Sequence, residues 1–189
     1  MINPEEALKE GDALIIVDVQ NDFCPGGALP IEEGDSVVPV LNEWLVAAKK
    51  TGIPVYASYD WHPPTHPSFS SEGGAWPPHC IQGTKGADFH SDLLLPDDVV
   101  QVAKGTRFDK DQHSAFDETG LANALRKSGI RRLWIGGLAL DVCVRATALE
   151  ARTAGFEAHL IAPGTRPVTL ADGAAAKEEL RTAGVVIEE

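Results

Sequence analysis

A polar helix end, a glycine and an apolar run follow one another four times along this chain, in KKTGIPVYAS, RKSGIRRLWIGG, ARTAGFEAHLIA and RTAGVVIEE. The glycine suits the position just past a helix, where a positive φ is needed, and the run after it suits a strand buried on both faces. Two further apolar runs, ALIIVD near the start and DVVQVAK in the middle, bring the predicted strands to six. Elsewhere apolar residues recur at helical spacing, as Val37, Leu41, Trp44, Leu45 and Ala48 do, and predict helices near 36–50, 117–128, 142–154 and 173–183. Strands alternating with helices imply a parallel sheet covered on both faces. The expected fold is therefore α/β: a three-layer α/β/α arrangement with a central, mainly parallel six-stranded sheet.

The stretch 61–90 breaks this rhythm, being rich in Pro, Gly, Ser and His with no sustained period. Long loops in compact domains usually carry function or are disordered. His62, His66, His79 and His90 are four of the chain's six histidines, which favours function. The whole chain, 189 residues, fits one domain spanning 1–189, because single domains commonly run to about 100–200 residues. Its net charge of −12 argues against nucleic acid and against an anionic membrane surface, since both select clustered Lys and Arg. A small molecule is the better partner class. The apolar run Ala13 to Val17 is too short for a signal peptide or a membrane span, so a cytoplasmic location is expected. Three cysteines, Cys24, Cys80 and Cys143, make an odd set and no disulfide framework is expected from them. No P-loop, no GxGxxG after a strand and no GxSxG elbow is present, which leaves nucleotide-binding and serine-hydrolase readings without their signatures.

Four ionisable residues fall at the ends of predicted strands: Asp18 after ALIIV, Asp60 after VYASY, Lys104 after VVQVA and Cys143 after LWIGGLALDV. In an open parallel sheet ligands bind outside the carboxyl ends of the strands, so these four residues can converge. Cys143 stands where a strand hands over to the helix 142–154, with Asp141 as the expected N-cap. A thiol there has its anion favoured by the helix dipole and by free N–H groups, which predicts a lowered pKa. Taken alone it also reads as a small buried hydrophobe, as most free cysteines are. An Asp and a Lys beside it are the partners a nucleophilic thiol uses, one to take its proton and one to favour the thiolate. Either of them alone reads as half of a structural ion pair.

Asp60 and His62 lie two apart, so in an extended segment both side chains leave one face and can share a metal, with His79 returning on the loop as a third ligand. One carboxylate and two imidazoles suit zinc, iron or manganese without choosing among them. His66, Glu72 and water compete for a further position, and a set of capping and turn residues is the alternative reading of the loop.

Taken together, DVQNDFCPGGAL at 18–29, DWHPPTHPSF at 60–69, WPPHCIQGTKGADFH at 76–90, KGTRFDKDQHSAF at 104–116 and GLALDVCVRATALEA at 137–151 resemble the nicotinamidases, which belong to the isochorismatase-like cysteine hydrolases. The resemblance keeps its order over nearly the whole chain. It implies that Asp18, Lys104 and Cys143 are catalytic and that Asp60, His62 and His79 hold a divalent metal ion, with zinc ahead of iron or manganese. It also implies that Phe23 and Trp76 wall a pyridine pocket. Leu138 and Ala139 match a pair joined by a cis peptide, and the N–H groups of Ala139 and Cys143 would form an oxyanion hole. His113, where a Tyr is frequent, and Leu140, where a Thr is frequent, depart from the family pattern and bear on substrate breadth.

The resemblance implies a hydrolase that converts nicotinamide to nicotinate and ammonia through a cysteine thioester in NAD salvage, acting also on pyrazinamide. Two rivals stand beside it: an amidase of the same superfamily acting on an N-carbamoyl compound, and a non-catalytic metal-binding protein on this fold. The DxH and WPPH signals count against the first and the retained Asp, Lys and Cys against the second. The sequence leaves the oligomeric state open, a homo-oligomer included.

Overall fold

Alternate residues of the first apolar run serve opposite layers: Leu14 and Ile16 join one core, while Ala13, Ile15 and Val17 join the other. That period of two, with all six residues buried, is what a central parallel strand requires. The computed structural model describes residues 2–189 and contains the six strands β1 (Asp12–Val17), β2 (Val55–Asp60), β3 (Val100–Lys104), β4 (Arg132–Leu138), β5 (Glu157–Arg166) and β6 (Val186–Glu188). Their order is β3-β2-β1-β4-β5-β6, and every pairing between neighbours is parallel. The expected sheet is therefore present, with no antiparallel member.

Helix α2 (Val37–Thr51), preceded by the short α1 (Pro4–Ala7), packs Val37, Leu41, Trp44, Leu45 and Ala48 on one face of the sheet. On the other face lie α3 (Leu121–Lys127), α4 (Arg145–Thr153) and α5 (Leu170–Thr182), through Leu121, Leu125, Ala148, Ala151 and Leu180. The glycines of the recurring phrase, Gly52, Gly129, Gly155 and Gly184, all take the positive φ expected past a helix end. Helix boundaries moved where local capping overrode periodicity. α5 starts at Leu170, ahead of the expected 173, because Thr169 caps it by accepting from Asp172 N at 3.1 Å. α3 starts at Leu121 because Gly120, at φ +80°, precedes it.

Chain direction across the sheet reverses at β1, which lies between β2 and β4. The crevice at the carboxyl ends of β1 and β4 is thus the topological switch point, where ligands bind in doubly wound sheets.

Candidate active site

Lys104, the last residue of β3, is the hub of the crevice. Fully buried, it sets its Nζ 2.7 Å from Asp60 Oδ1, 2.7 Å from Asp18 Oδ2, 3.3 Å from the Gln112 carbonyl and 3.4 Å from Cys143 Sγ. All four strand-end residues therefore meet, as their sequence positions predict. Asp18 turns into the site because the residue after β1 adopts a left-handed backbone, φ +49°, uncommon for a non-glycine. Ser58 Oγ donates to Asp18 Oδ1 at 2.7 Å. Lys104 Nζ makes its ion pair with the other oxygen, Oδ2. Asp18, Asp60 and Cys143 each bring an atom within 4.8 Å of the others.

Cys143 lies in a π-helical turn, Leu140–Val144, that runs directly into α4. Its position at the head of a helix is as expected, but Asp141 is not the cap. The turn opens at Ala139 with no side-chain cap, and Asp141 Oδ1 instead accepts from Val168 N at 2.9 Å, tying the turn to the segment before α5. The peptide between Leu138 and Ala139 is cis, as the resemblance implies.

The predicted lowering of the thiol pKa is reversed. Burial, the largest influence, pushes the Cys143 thiol well above its ordinary value; Lys104 pulls it down, while the Asp18 and Asp60 carboxylates add to the rise. Asp18 is raised as well, by burial and by the Asp60 charge, against Lys104 and Ser58. Burial also acts to raise Asp60, but Lys104 and His62 outweigh it and hold that carboxyl well below the usual range. For Lys104 the two carboxylates overcome burial and keep the ammonium charged. In the resting arrangement the thiol carries its proton beside a carboxylate able to accept one.

A metal-ligand set adjoins this group. Asp60, His62 and His79 are all buried and bring one donor atom each within 4.8 Å of one another. His62 Nδ1 lies 2.7 Å from the Gly105 carbonyl and His79 Nδ1 2.7 Å from the Pro77 carbonyl, so each Nδ1 is protonated and Nε2 is the atom left to bind a cation, for His62 once it gives up its proton. His66 differs: its Nδ1 accepts from Ser68 N at 3.3 Å and lies 2.7 Å from Ser68 Oγ, and its buried Nε2 has no partner. Burial and the neighbouring His62 hold His66 down to about 4, which leaves it neutral near pH 7. These observations fit a divalent cation: buried imidazoles, those of His66 and His79 held toward the neutral form, beside a carboxylate that stays ionised. His66 stacks on His62 at 4.1 Å between ring centroids, whereas Glu72 is exposed and belongs to no such cluster. The structure also gathers His62 and His66 with Asp111.

The crevice opens into a pocket walled by Phe23, Trp76, Val142 and Val168, with Asp60, His79 and Cys143 deeper in and Ala139 beside them. The predicted pocket residues Phe23, Trp76 and Ala139 all line it. His113, one of the departures from the family pattern, stands at its rim, its Nε2 2.9 Å from Asp111 Oδ2, while Leu140 is buried in the core below α4. Ser58 is the residue that sequence reasoning overlooked. Its signal is a single serine in a buried strand, two before Asp60 and so on the same face. Cys24 and Cys80 are buried and free; burial and the Asp35 charge raise the Cys24 thiol to about 11, and burial with nearby carboxylates raises Cys80 further.

Comparison with known proteins matches residues 12–189 to the model of the isochorismatase domain. The nicotinamidase of Escherichia coli strain K12 is 37% identical, over 93% of this chain and 93% of its own. Among solved structures, the pyrazinamidase of Pyrococcus horikoshii in complex with zinc superposes with a TM-score of 0.92 at 44% identity, over 95% of this chain and 99% of the other. The PnC1 protein of L. infantum in complex with nicotinate superposes at 0.87 and 39% identity, over 94% and 92%.

Proposed function

The chain belongs to the isochorismatase family, and from that premise we propose that it hydrolyses nicotinamide to nicotinate and ammonia in NAD salvage, with Cys143 as nucleophile. The observation that carries this reading is the single buried contact group in which Lys104 touches Asp18, Asp60 and Cys143 beside a ready set of imidazole ligands. Relatives that share most of the chain's length include nicotinamidases and pyrazinamidases, which supports the carboxamide as the reacting group and pyrazinamide as a second substrate.

Asp18 accepts the Cys143 proton as the sulfur attacks the carboxamide carbon. The N–H groups of Ala139 and Cys143 are the oxyanion donors in this reading. Asp18 then returns the proton to the departing nitrogen; ammonia leaves and the acyl group stays on sulfur as a thioester. In the second half Asp18 takes a proton from water as that water attacks the acyl carbon, and the proton returns to the thiolate as nicotinate leaves. Lys104 stabilises the negative charge on Asp18 and on the sulfur throughout. Phe23 and Trp76 hold the flat ring between them.

Asp60, His62 and His79 would hold a divalent metal ion, with zinc as the ion. When bound, such an ion supplies a Lewis-acid centre that attracts a pyridine nitrogen and makes water more acidic. The chain acts as one domain, 1–189, in which the loop 61–90 is the metal-binding insertion. Among the described residues no helix is long and apolar enough to cross a membrane, and three free buried cysteines in an acidic chain favour the cytoplasm. Ammonia release from nicotinamide by the zinc-loaded protein tests the proposal; no release from either nicotinamide or pyrazinamide would overturn it.

A further inference from the structure

β1 leaves the sheet before its neighbour does. Its last rung pairs Val17 with Ser58, and Asp18 donates its N–H to the Ser58 carbonyl at 3.1 Å before the chain turns away. β2 continues to Asp60, which pairs with Lys104 of β3 on its other side. The N–H and C=O of Asp60 that face β1 are thus deprived of a strand partner in a buried place, where an unpaired peptide group is costly.

The side chain of Gln20 occupies that position. Its Oε1 accepts from Asp60 N at 2.8 Å, and its Nε2 donates to Asp60 O at 2.8 Å and to Ala87 O at 2.8 Å. Gln20 is 0% exposed. A primary amide carries the same donor and acceptor as a peptide group, so this side chain continues the ladder where the β1 backbone has departed. Both of its amide hydrogens are used, which a glutamate at this position could not provide. Asparagine would fall one methylene short of Asp60.

We infer that Gln20 is a positioning residue: its amide replaces the missing rung of β1, so that Asp18 turns into the site while Asp60 stays fixed beside it. The inference rests on the reading of Asp60 as a metal ligand and as the partner of Lys104. Asp60 needs both oxygens in place, Oδ1 at 2.7 Å from Lys104 Nζ and Oδ2 at 3.5 Å from His62 Nε2. The clamp on its peptide holds the end of β2 against rotation from the β1 side.

The test measures zinc affinity, by competition with a chromophoric chelator, and nicotinamide turnover for wild type, Gln20→Asn, Gln20→Met, Asp60→Asn and the Gln20→Asn/Asp60→Asn double variant. Each Gln20 change is expected to weaken zinc binding and lower kcat by about 10–100-fold, the scale of lost support around a metal ligand. KM should move by less than about 3-fold, with circular dichroism unchanged for Gln20→Asn. In the Asp60→Asn background, Gln20→Asn should add less than about 3-fold, since the residue through which it acts is already disabled. Losses that multiply in the double variant, or a Gln20→Asn protein within about 2-fold of wild type in both measurements, would overturn the inference. Should Gln20→Met unfold, the Gln20→Asn series decides alone. Wild-type zinc affinity and kcat in Asp60→Asn would instead overturn the reading of Asp60, and the inference with it.

Discussion

Two buried carboxylates share one ammonium at Lys104, and the thiol beside them is held protonated by burial and by those same carboxylates. Reactivity must then come from proton transfer at the moment of attack, not from a standing thiolate. Cys143→Ala should abolish ammonia release with the melting temperature nearly unchanged, whereas Cys24→Ala and Cys80→Ala should retain most activity. An active Cys143 variant beside a dead Cys80 variant would show the nucleophile to be misassigned. Asp18→Asn should lower kcat by about 10²–10⁴-fold, the usual scale of general acid–base catalysis. Because Asp18 raises the thiol pKa, the same change should leave iodoacetamide alkylation of Cys143 at neutral pH as fast as in wild type, or faster. Slower alkylation together with lost turnover would mean that Asp18 acts by maintaining the thiolate.

At the scale of elements, the site depends on how strands end and helices begin. β3 ends at Lys104, and Gly105 follows at φ +65° with its carbonyl on His62 Nδ1; a Cβ there would lie 2.3 Å from His62 Cε1. Gly105→Ala therefore combines backbone strain with a clash against a metal ligand. It should cut zinc affinity measured against a chelator, and retention of wild-type affinity would argue that His62 is free to move. Helix α5 offers a contrast. Its cap, Thr169, is exposed and touches only Asp172, so Thr169→Ala should cost about 1 kcal/mol. In a chain of this size that corresponds to a melting temperature lower by about 2–4 °C, with kcat unchanged.

For the whole molecule, the apolar pocket and the ligand set divide the work of recognition. Nicotinamide and benzamide have nearly the same shape, and walls such as Phe23 and Trp76 cannot separate them strongly by packing. A ring nitrogen is a ligand for a borderline cation and a benzene carbon is not. Zinc-loaded protein should therefore favour nicotinamide greatly over benzamide in kcat/KM, and a chelator or His62→Ala should depress nicotinamide turnover and shrink that preference. Equal turnover of the two amides would remove the metal from substrate recognition. Zinc binding should also tighten with rising pH. Burial acts to lower the His62 pKa, but the Asp60 carboxylate overrides it and raises that pKa, so the ligand gives up its proton to the metal only at a cost that falls as pH rises through and above the ordinary histidine range. A pH-independent affinity over that interval would contradict His62 as a ligand.

Much of this architecture was legible in the chain itself. Glycine punctuation and apolar runs are local signals, so six strands, a parallel sheet, the placement of Asp18, Asp60 and Lys104 at strand ends and that of Cys143 at the head of the next helix could be read without coordinates. The DxH spacing likewise placed Asp60 and His62 on one face of an extended segment, because side chains alternate along it. What the sequence could not decide depends on surroundings contributed by distant segments. The direction of the Cys143 shift follows from burial and from carboxylates on β1 and β2, and Asp141 was drawn from its expected capping role by Val168. His66, not Glu72, comes to lie against His62 because the Pro-rich loop folds the imidazole inward and leaves the carboxylate in solvent. Gln20 looks like any polar loop residue until β1 is seen to leave the sheet before β2. Local pattern determines which elements form and what their ends carry; burial, charge and hydrogen-bond partnership are sums over neighbours, and only the tertiary structure assembles those neighbours.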